Sequence, residues 1–201
     1  MKPAAIGFRV HSGWTALVSL ALEKGRPVVL ARKRPHLVAT FSYTFRQPYH
    51  TAAKMSVEEA VAFLEGQQAE ARHLAVAALE AVQEDVGQQG YQLTRAALLT
   101  ASGRALPELA KILTSHSLIH TADGEFFREA ILHAGAQCKF GVTTIKDREL
   151  LATASSKLRR EPAALLKLLT ALGKPLGGPW TQDEKFAALA AWLAISTLRS
   201  R

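Results

Sequence analysis

The first third of the chain consists of short apolar runs separated by pairs of turn-forming residues. In chain order these segments are residues 4–10, Ser12-Gly13, 14–22, Lys24-Gly25 and 27–31. Two tight turns between three apolar runs are typical of an antiparallel meander. We therefore predict three consecutive strands, the last of which ends near His36.

Helical periodicity replaces this pattern after residue 56. Ser56 and Glu59 form a capping box that opens a long helix, and Gly87 and Gly90 end it. Strand-forming residues then recur in two short runs, 95–101 and 139–145. Amphipathic helices are predicted around these runs, so helices and strands alternate. This order predicts an α/β fold with a mixed sheet, in which residues 4–10 are central between 14–22 and 95–101.

The composition is compatible with one domain over residues 1–201. Of the 201 residues, 48% are hydrophobic and 21% are charged, so a sizeable core is available. Cys138 is the only cysteine, which excludes an internal disulfide and fits a reducing, cytoplasmic setting. Polar residues interrupt every apolar run, including the N-terminal one at Arg9 and His11, so neither a membrane span nor a signal peptide is expected.

The excess positive charge is concentrated near the N-terminus. Residues 1–54 hold nine Lys or Arg and one acidic residue, whereas the net charge of residues 55–201 is zero. Such asymmetry favours an anionic partner, with nucleic acid first, and makes Arg32, Lys33 and Arg34 candidate contacts. The alternative is a solvated basic edge strand that discourages aggregation.

Aromatic and polar residues alternate in the connector at residues 40–55. The aromatic members are Phe41, Tyr43, Phe45 and Tyr49, and Arg46 and His50 lie among them. Interleaved aromatic and basic side chains can stack on and neutralise nucleic acid. Packing of the aromatic side chains onto the core is the alternative that we favour.

A dense polar cluster lies between residues 115 and 128. Its candidate catalytic residues are His116, His120, Asp123, Glu125 and Arg128. The two histidines are four apart, so on a helix they share one face, where they could bind metal or exchange protons. The alternative is a helix that Thr121 caps, with Glu125 and Arg128 paired. Since no complete metalloprotease motif is present, we predict neither a bound metal nor another cofactor.

Two segments resemble a known family. Residues 6–14 are similar to the first strand and turn of the ribonuclease H-like superfamily, and residues 183–191 to its acidic, alanine-rich final helix. Together with the order of elements, they place the nearest resemblance in the Holliday-junction resolvase branch. The resemblance implies a ribonuclease H-like mixed sheet, with an N-terminal meander followed by alternating helices and two further strands, and a role on nucleic acid.

The chain departs from the family's catalytic pattern. These nucleases hold two divalent metals with a cluster of carboxylates. Arg9 stands where the resemblance implies the first aspartate, the 95–101 strand ends without an acid, and only Asp183 or Glu184 matches. The strand ends should instead gather a cationic group that suits phosphate. Its members are Arg9, His11, Ser102, Arg104 and Lys146.

Three functions follow as hypotheses. The first is a nucleic-acid-associated ribonuclease H-like protein that lacks the standard two-metal carboxylate site. The second is a small-molecule enzyme that uses the cluster at residues 116–128. The third is a non-catalytic interaction scaffold, such as a homo-oligomer formed through an exposed strand edge. The sequence leaves open whether the protein is an enzyme.

Overall fold

A mixed sheet forms the centre of the computed structural model, which describes residues 1–101 and 105–196. Its strands are β1 (Lys2–His11), β2 (Trp14–Glu23), β3 (Arg26–Lys33), β4 (Tyr91–Thr100) and β5 (Gly141–Lys146). The described sheet has the order β3-β2-β1-β4-β5; β2 runs antiparallel to β1 and β3, and β4 runs parallel to β1 and β5. The predicted meander and the central position of residues 4–10 are therefore confirmed.

Helices cover both faces of the sheet. They are α1 (Tyr43–Arg46), α2 (Pro48–Ala52), α3 (Val57–Gln88), α4 (Leu109–Leu113), α5 (His116–Gln137), α6 (Leu150–Leu158), α7 (Pro162–Gly173) and α8 (Gln182–Ser196). The predicted capping box of Ser56 and Glu59 opens α3. Within the described residues, no helix combines the length and the apolar character needed to cross a membrane.

Alternation along β1 divides the core into two layers. Ile6 and Phe8 face one layer, which contains the buried apolar side of α3 and most of that of α5. Ala5 faces the other layer with residues of α6, α7 and α8. Because side chains alternate along a strand, Arg9 lies on the same side of the sheet as Ala5 and α8.

Gly7 allows α8 to cross β1 at very short range. A Cβ atom at Gly7 would lie 2.0 Å from the backbone oxygen of Ala187 and 2.7 Å from the backbone nitrogen of Ala191. Both alanines are fully buried, so the small residues on α8 continue this close approach. The crossing fixes the N-terminal turn of α8, with Asp183 and Glu184, beside the end of β1.

Two local predictions differ from the structure. The polar stretch before residue 124 is already helical, since α5 begins at His116. The prediction that Thr121 caps a helix is therefore wrong: its hydroxyl donates to the carbonyl oxygen of Ser117, one turn earlier. The third strand ends at Lys33, and His36 follows it only as an isolated bridge to Trp14.

Candidate functional site

The carboxyl ends of β1, β4 and β5 meet at one edge of the sheet. In the register, Arg9 lies opposite Leu99 on β4, and Thr100 lies opposite Lys146 on β5. A shallow cleft opens there, and it is lined by Arg9, Thr100, Ala101, Asp147, Arg148, Gln182 and Phe186. The convergence of the described strand ends is as the sequence predicted, whereas Ser102 and Arg104 lie outside the described residues.

Arg9 bridges two carboxylates in this cleft. Its Nη1 donates to Asp183 Oδ1 and its Nη2 donates to Asp147 Oδ2, both at 2.9 Å. The guanidinium also lies 5.1 Å from the ring centroid of Phe186. The Arg9 side chain is only 21% exposed, so solvent screens these charges weakly. One fixed cation thus holds two carboxylates that come from different elements.

His11 extends the same network. Its Nε2 lies 2.9 Å from Asp183 Oδ1, the oxygen that also accepts from Arg9. The second oxygen of Asp147, Oδ1, is buried and has no hydrogen-bond partner among the described residues. The network therefore leaves two carboxylate oxygens, Asp147 Oδ1 and Asp183 Oδ2, with unused acceptor capacity.

The Glu184 side chain is buried and hydrogen-bonded inside the protein, and it does not line the cleft. Its side chain is fully buried, and one oxygen accepts from Arg34 while the other accepts from the Thr181 backbone N–H (2.8 Å) and hydroxyl (2.7 Å). Burial by itself would raise the pKa of Glu184, but the hydrogen bonds from Arg34 and Thr181 outweigh it and lower the pKa to about 2. Glu184 is therefore ionised at neutral pH and neutralised by Arg34.

The three basic residues at the end of β3 bind partners within the protein. Arg32 donates to the carbonyl oxygens of Gly177 (2.9 Å) and Pro179 (2.6 Å). Lys33 Nζ lies 2.9 Å from Asp85 Oδ2, and Arg34 binds Glu184. These contacts anchor the end of β3 to other parts of the fold, a role that net charge alone does not predict.

Two basic side chains in or beside the cleft have weaker attachments. Lys146 lines a neighbouring cavity rather than the cleft itself; it lies 3.4 Å from Glu149 and is 43% exposed. Arg148, which the sequence analysis missed, is 76% exposed with its Nε 3.7 Å from the same Glu149. Since these distances exceed those of a firm hydrogen bond, both cations can turn towards an anionic ligand in the cleft. Arg148 lies three residues after the end of the strand predicted at 139–145, and this nearness to a strand end is the signal that would have found it.

Rings and guanidinium groups form a continuous surface that begins at the cleft. His11 stacks on Trp14 with 4.5 Å between centroids, and the Arg34 guanidinium lies 5.0 Å from the Trp14 ring. An isolated backbone bridge pairs Trp14 with His36 and so places the next stacked pair of rings beside this one. We call it the aromatic–cation ladder, and its members are His11, Trp14, Arg34, His36, Phe41 and Arg46.

The far end of the ladder lies in the connector at residues 40–55. His36 stacks on Phe41 at 4.2 Å, and the Arg46 guanidinium lies 4.3 Å from the Phe41 ring. Phe41 is 44% exposed, whereas Phe45 and Tyr49 pack against the core. Phe45 and Tyr49 therefore pack as the favoured alternative predicted, whereas Phe41 and Tyr43 remain exposed.

A second polar group lies where α2 packs on α5. His116 and His120 share one face of α5 as predicted, with ring centroids 4.4 Å apart. His50 on α2 completes the group, at 4.5 Å from the His120 ring and 5.7 Å from the His116 ring. The sequence did not reveal His50, because only the packing of α2 on α5 brings it there.

The buried carboxylate of Asp123 holds one member of this histidine group, His50, in place. Its Oδ2 is hydrogen-bonded to His50 Nδ1, and its Oδ1 accepts from the Tyr49 backbone N–H at 2.7 Å. Burial raises the pKa of Asp123, although the bonds from His50 and Tyr49 oppose the rise. Glu125 and Arg128 pair with each other at 2.9 Å, as the alternative interpretation predicted, and are not members of the group.

The fold is similar to that of two solved RuvC structures. One similar solved structure is Thermus thermophilus RuvC in complex with a Holliday junction substrate: identity is 13%, 98% of this chain and 94% of that chain are covered, and the TM-score is 0.53. A second RuvC structure from Thermus thermophilus gives 12% identity, coverage of 98% and 95%, and a TM-score of 0.53. The chain therefore has the ribonuclease H-like α/β fold. No protein-family model and no curated protein matches it.

Proposed function

We propose that the protein binds nucleic acid through the cleft and the aromatic–cation ladder, and that Arg9 takes the place of the divalent cations of metal-dependent nucleases. The observation that carries the proposal is the Arg9 guanidinium, bonded at 2.9 Å to both Asp147 and Asp183. Nucleic acid is the partner class because one RuvC structure with this fold is in complex with a Holliday junction substrate.

The cleft residues do not fit a pair of divalent metal ions. Among the described residues that line the cleft, Asp147 is the only carboxylate, and Asp183 joins it through Arg9. Both already have a permanent cation between them, since a guanidinium does not lose its proton at working pH. Only Asp147 Oδ1 and Asp183 Oδ2 accept no hydrogen bond among the described residues, and two oxygens are fewer than two metal ions require. No cleavage step through bound metals follows from this arrangement.

The surface around the cleft offers groups suited to nucleic acid. Arg148 is exposed at the cleft, and Lys146 lies two residues earlier in the sequence. The ladder adds ring faces on which bases can stack, with Phe41 exposed at its far end. Base stacking on an aromatic ring contributes about 1–3 kcal/mol per base, and phosphate contacts make binding dependent on salt.

We expect binding to a fluorescent four-way DNA junction, with affinity that falls steeply as salt rises. Arg148→Glu should weaken binding at least about fivefold and reduce the slope against log salt by about 1, because it removes a phosphate contact. Phe41→Ala should weaken binding by about 5- to 150-fold through loss of stacking, with little change in that slope. Fluorescence anisotropy over a series of salt concentrations measures both quantities.

Two variants with matched chemistry serve as controls. Lys167→Glu makes the same charge change at an exposed position on α7, away from the lining of the cleft. Tyr43→Ala removes an aromatic ring that is 59% exposed and outside the ladder. Both should bind nearly as the wild type does. The proposal fails if the wild type binds neither junction, duplex nor single strand at low salt, or if controls and test variants are weakened equally.

A further inference from the structure

We propose that His50, His116 and His120 form a binding site for one divalent transition metal ion, of which Zn²⁺ is the best match. The coordinating nitrogens of the three side chains all lie within 4.8 Å of one another. The inference concerns a different part of the molecule from the cleft, and it does not depend on nucleic-acid binding.

The backbone already places the three imidazoles around one point. His116 and His120 are one helical turn apart on α5, so both side chains leave the same face. His50 approaches from α2, and its ring contacts both of the others edge to face. Tetrahedral Zn–N bonds of about 2.0–2.1 Å require nitrogens about 3.3 Å apart, so the imidazoles must draw closer by up to about 1.5 Å. Rotation of the exposed His116 and His120 side chains can supply this movement.

Asp123 gives His50 the environment of a metal ligand. Its buried carboxylate is bonded to His50 Nδ1, and it is held in turn by the Tyr49 backbone N–H. This bond fixes the orientation of the ring and leaves Nε2 as the free coordinating nitrogen. A carboxylate behind a metal-binding histidine is the common arrangement in zinc sites, where it raises the basicity of the ligand.

The composition of the site determines which ions it should take. Imidazole nitrogens suit Zn²⁺, Cu²⁺, Ni²⁺ and Fe²⁺, whereas Mg²⁺ and Ca²⁺ prefer oxygen ligands. The one nearby carboxylate, Asp123, is already engaged by His50 and Tyr49. His50 is only 13% exposed while His116 and His120 face solvent, so three protein ligands would leave one coordination position open to water. Such an ion would also tie α2 to the first turn of α5.

The alternative is that the three rings pack together as aromatic groups and bind no ion. Edge-to-face contacts at 4.4–5.7 Å between centroids are sufficient for such packing. The two accounts differ in what removal of one imidazole does. Packing predicts a small change in stability and no saturable metal binding. Coordination predicts one bound ion, which is lost with either exposed histidine.

Calorimetric titration of the chelator-treated full chain with ZnCl₂ tests the site. We expect one equivalent to bind with a micromolar or lower Kd, and the Tm to rise with Zn²⁺ but not with Mg²⁺. His116→Ala and His120→Ala should each abolish this binding. Asp123→Asn should weaken it by about 10- to 100-fold, because the coordinating ring of His50 remains but loses its orienting carboxylate.

His73→Ala is the matched control, since His73 is exposed on α3 and is not a member of the group. It should bind Zn²⁺ as the wild type does. The two test histidines are also exposed, so the metal-free Tm of their variants should stay close to that of the wild type. The proposal is overturned if the wild type shows no saturable Zn²⁺ binding, or if binding persists unchanged in both His116→Ala and His120→Ala.

Discussion

Gly7→Ala is expected to destabilise the fold by about 3 kcal/mol. The new Cβ would lie 2.0 Å from the Ala187 backbone oxygen, and a main-chain atom cannot turn aside as a flexible side chain can. Relief requires α8 to move away from β1. That movement would also carry Asp183 away from Arg9. Urea unfolding followed by circular dichroism measures the loss.

Gly66→Ala provides the matched control for this substitution. Gly66 lies inside α3, and a Cβ there would meet no atom within 4 Å. Alanine in a helix interior is about 0.5–1 kcal/mol more favourable than glycine, so this variant should be more stable than the wild type. If Gly7→Ala proved neutral, α8 would not cross β1 as closely as described here.

Arg34→Met is expected to cost about 2–3 kcal/mol at neutral pH. The substitution removes the cation from the fully buried carboxylate of Glu184 and leaves only the bonds from Thr181. Methionine replaces much of the aliphatic volume of the arginine. The decrease in the free energy of unfolding therefore measures mainly the removal of the positive charge. Arg34 is itself partly exposed, which places the cost at the lower end for a broken buried ion pair.

The pH dependence of this loss distinguishes electrostatics from packing. The pKa of Glu184 is lowered to about 2 in the folded protein, below its usual value near 4.5. Its ionisation therefore stabilises the fold above pH 4.5, and the contribution is lost as the pH falls towards 2. The stability difference between wild type and Arg34→Met should accordingly be full at pH 7 and shrink between pH 4.5 and 2. A difference that does not vary with pH would contradict the ion-pair explanation.

Lys33→Met is the control for Arg34→Met, because it removes the neighbouring positive charge from an exposed ion pair. Lys33 and Asp85 are 52% and 43% exposed, and such surface pairs contribute about 0–1 kcal/mol. Lys33 has an exposed partner and Arg34 a buried one, so charge reversals at these two positions should have different effects on stability. Reversal at Lys33 should leave the protein folded. Reversal at Arg34 would place a second carboxylate beside Glu184 and destabilise the protein.

Local patterns were sufficient to predict the sheet. Alternation and glycine turns define the meander, and the run at residues 95–101 contains the parallel neighbour of β1. The position of Arg9 where the strand ends converge also followed from the order of elements. Asp147 was missed as its partner because the residue after a strand looks equally like a helix cap. Only the register of β5 places it next to Arg9.

The remaining functional residues depend on contacts between distant parts of the chain. His50 joins His116 and His120 only because a short helix in the connector packs on α5. Trp14 and His36 meet through a bridge beyond the end of β3, where no periodicity indicates pairing. Net charge predicted an anionic partner. It did not indicate that Arg32 and Arg34 would be engaged by the fold itself.

The central claim is that nucleic acid binds in the cleft while Arg9 excludes metal-dependent cleavage. Its most direct test is incubation of a labelled four-way junction with saturating wild-type protein in Mg²⁺ or Mn²⁺. A gel-shift control shows that the junction is bound, and denaturing gels detect cut strands. We predict a bound and uncut junction with either ion. Metal-dependent cleavage that Asp183→Asn abolishes would contradict the claim, and cleavage that survives Asp183→Asn but is lost in His120→Ala would place a nuclease activity at the histidine group instead.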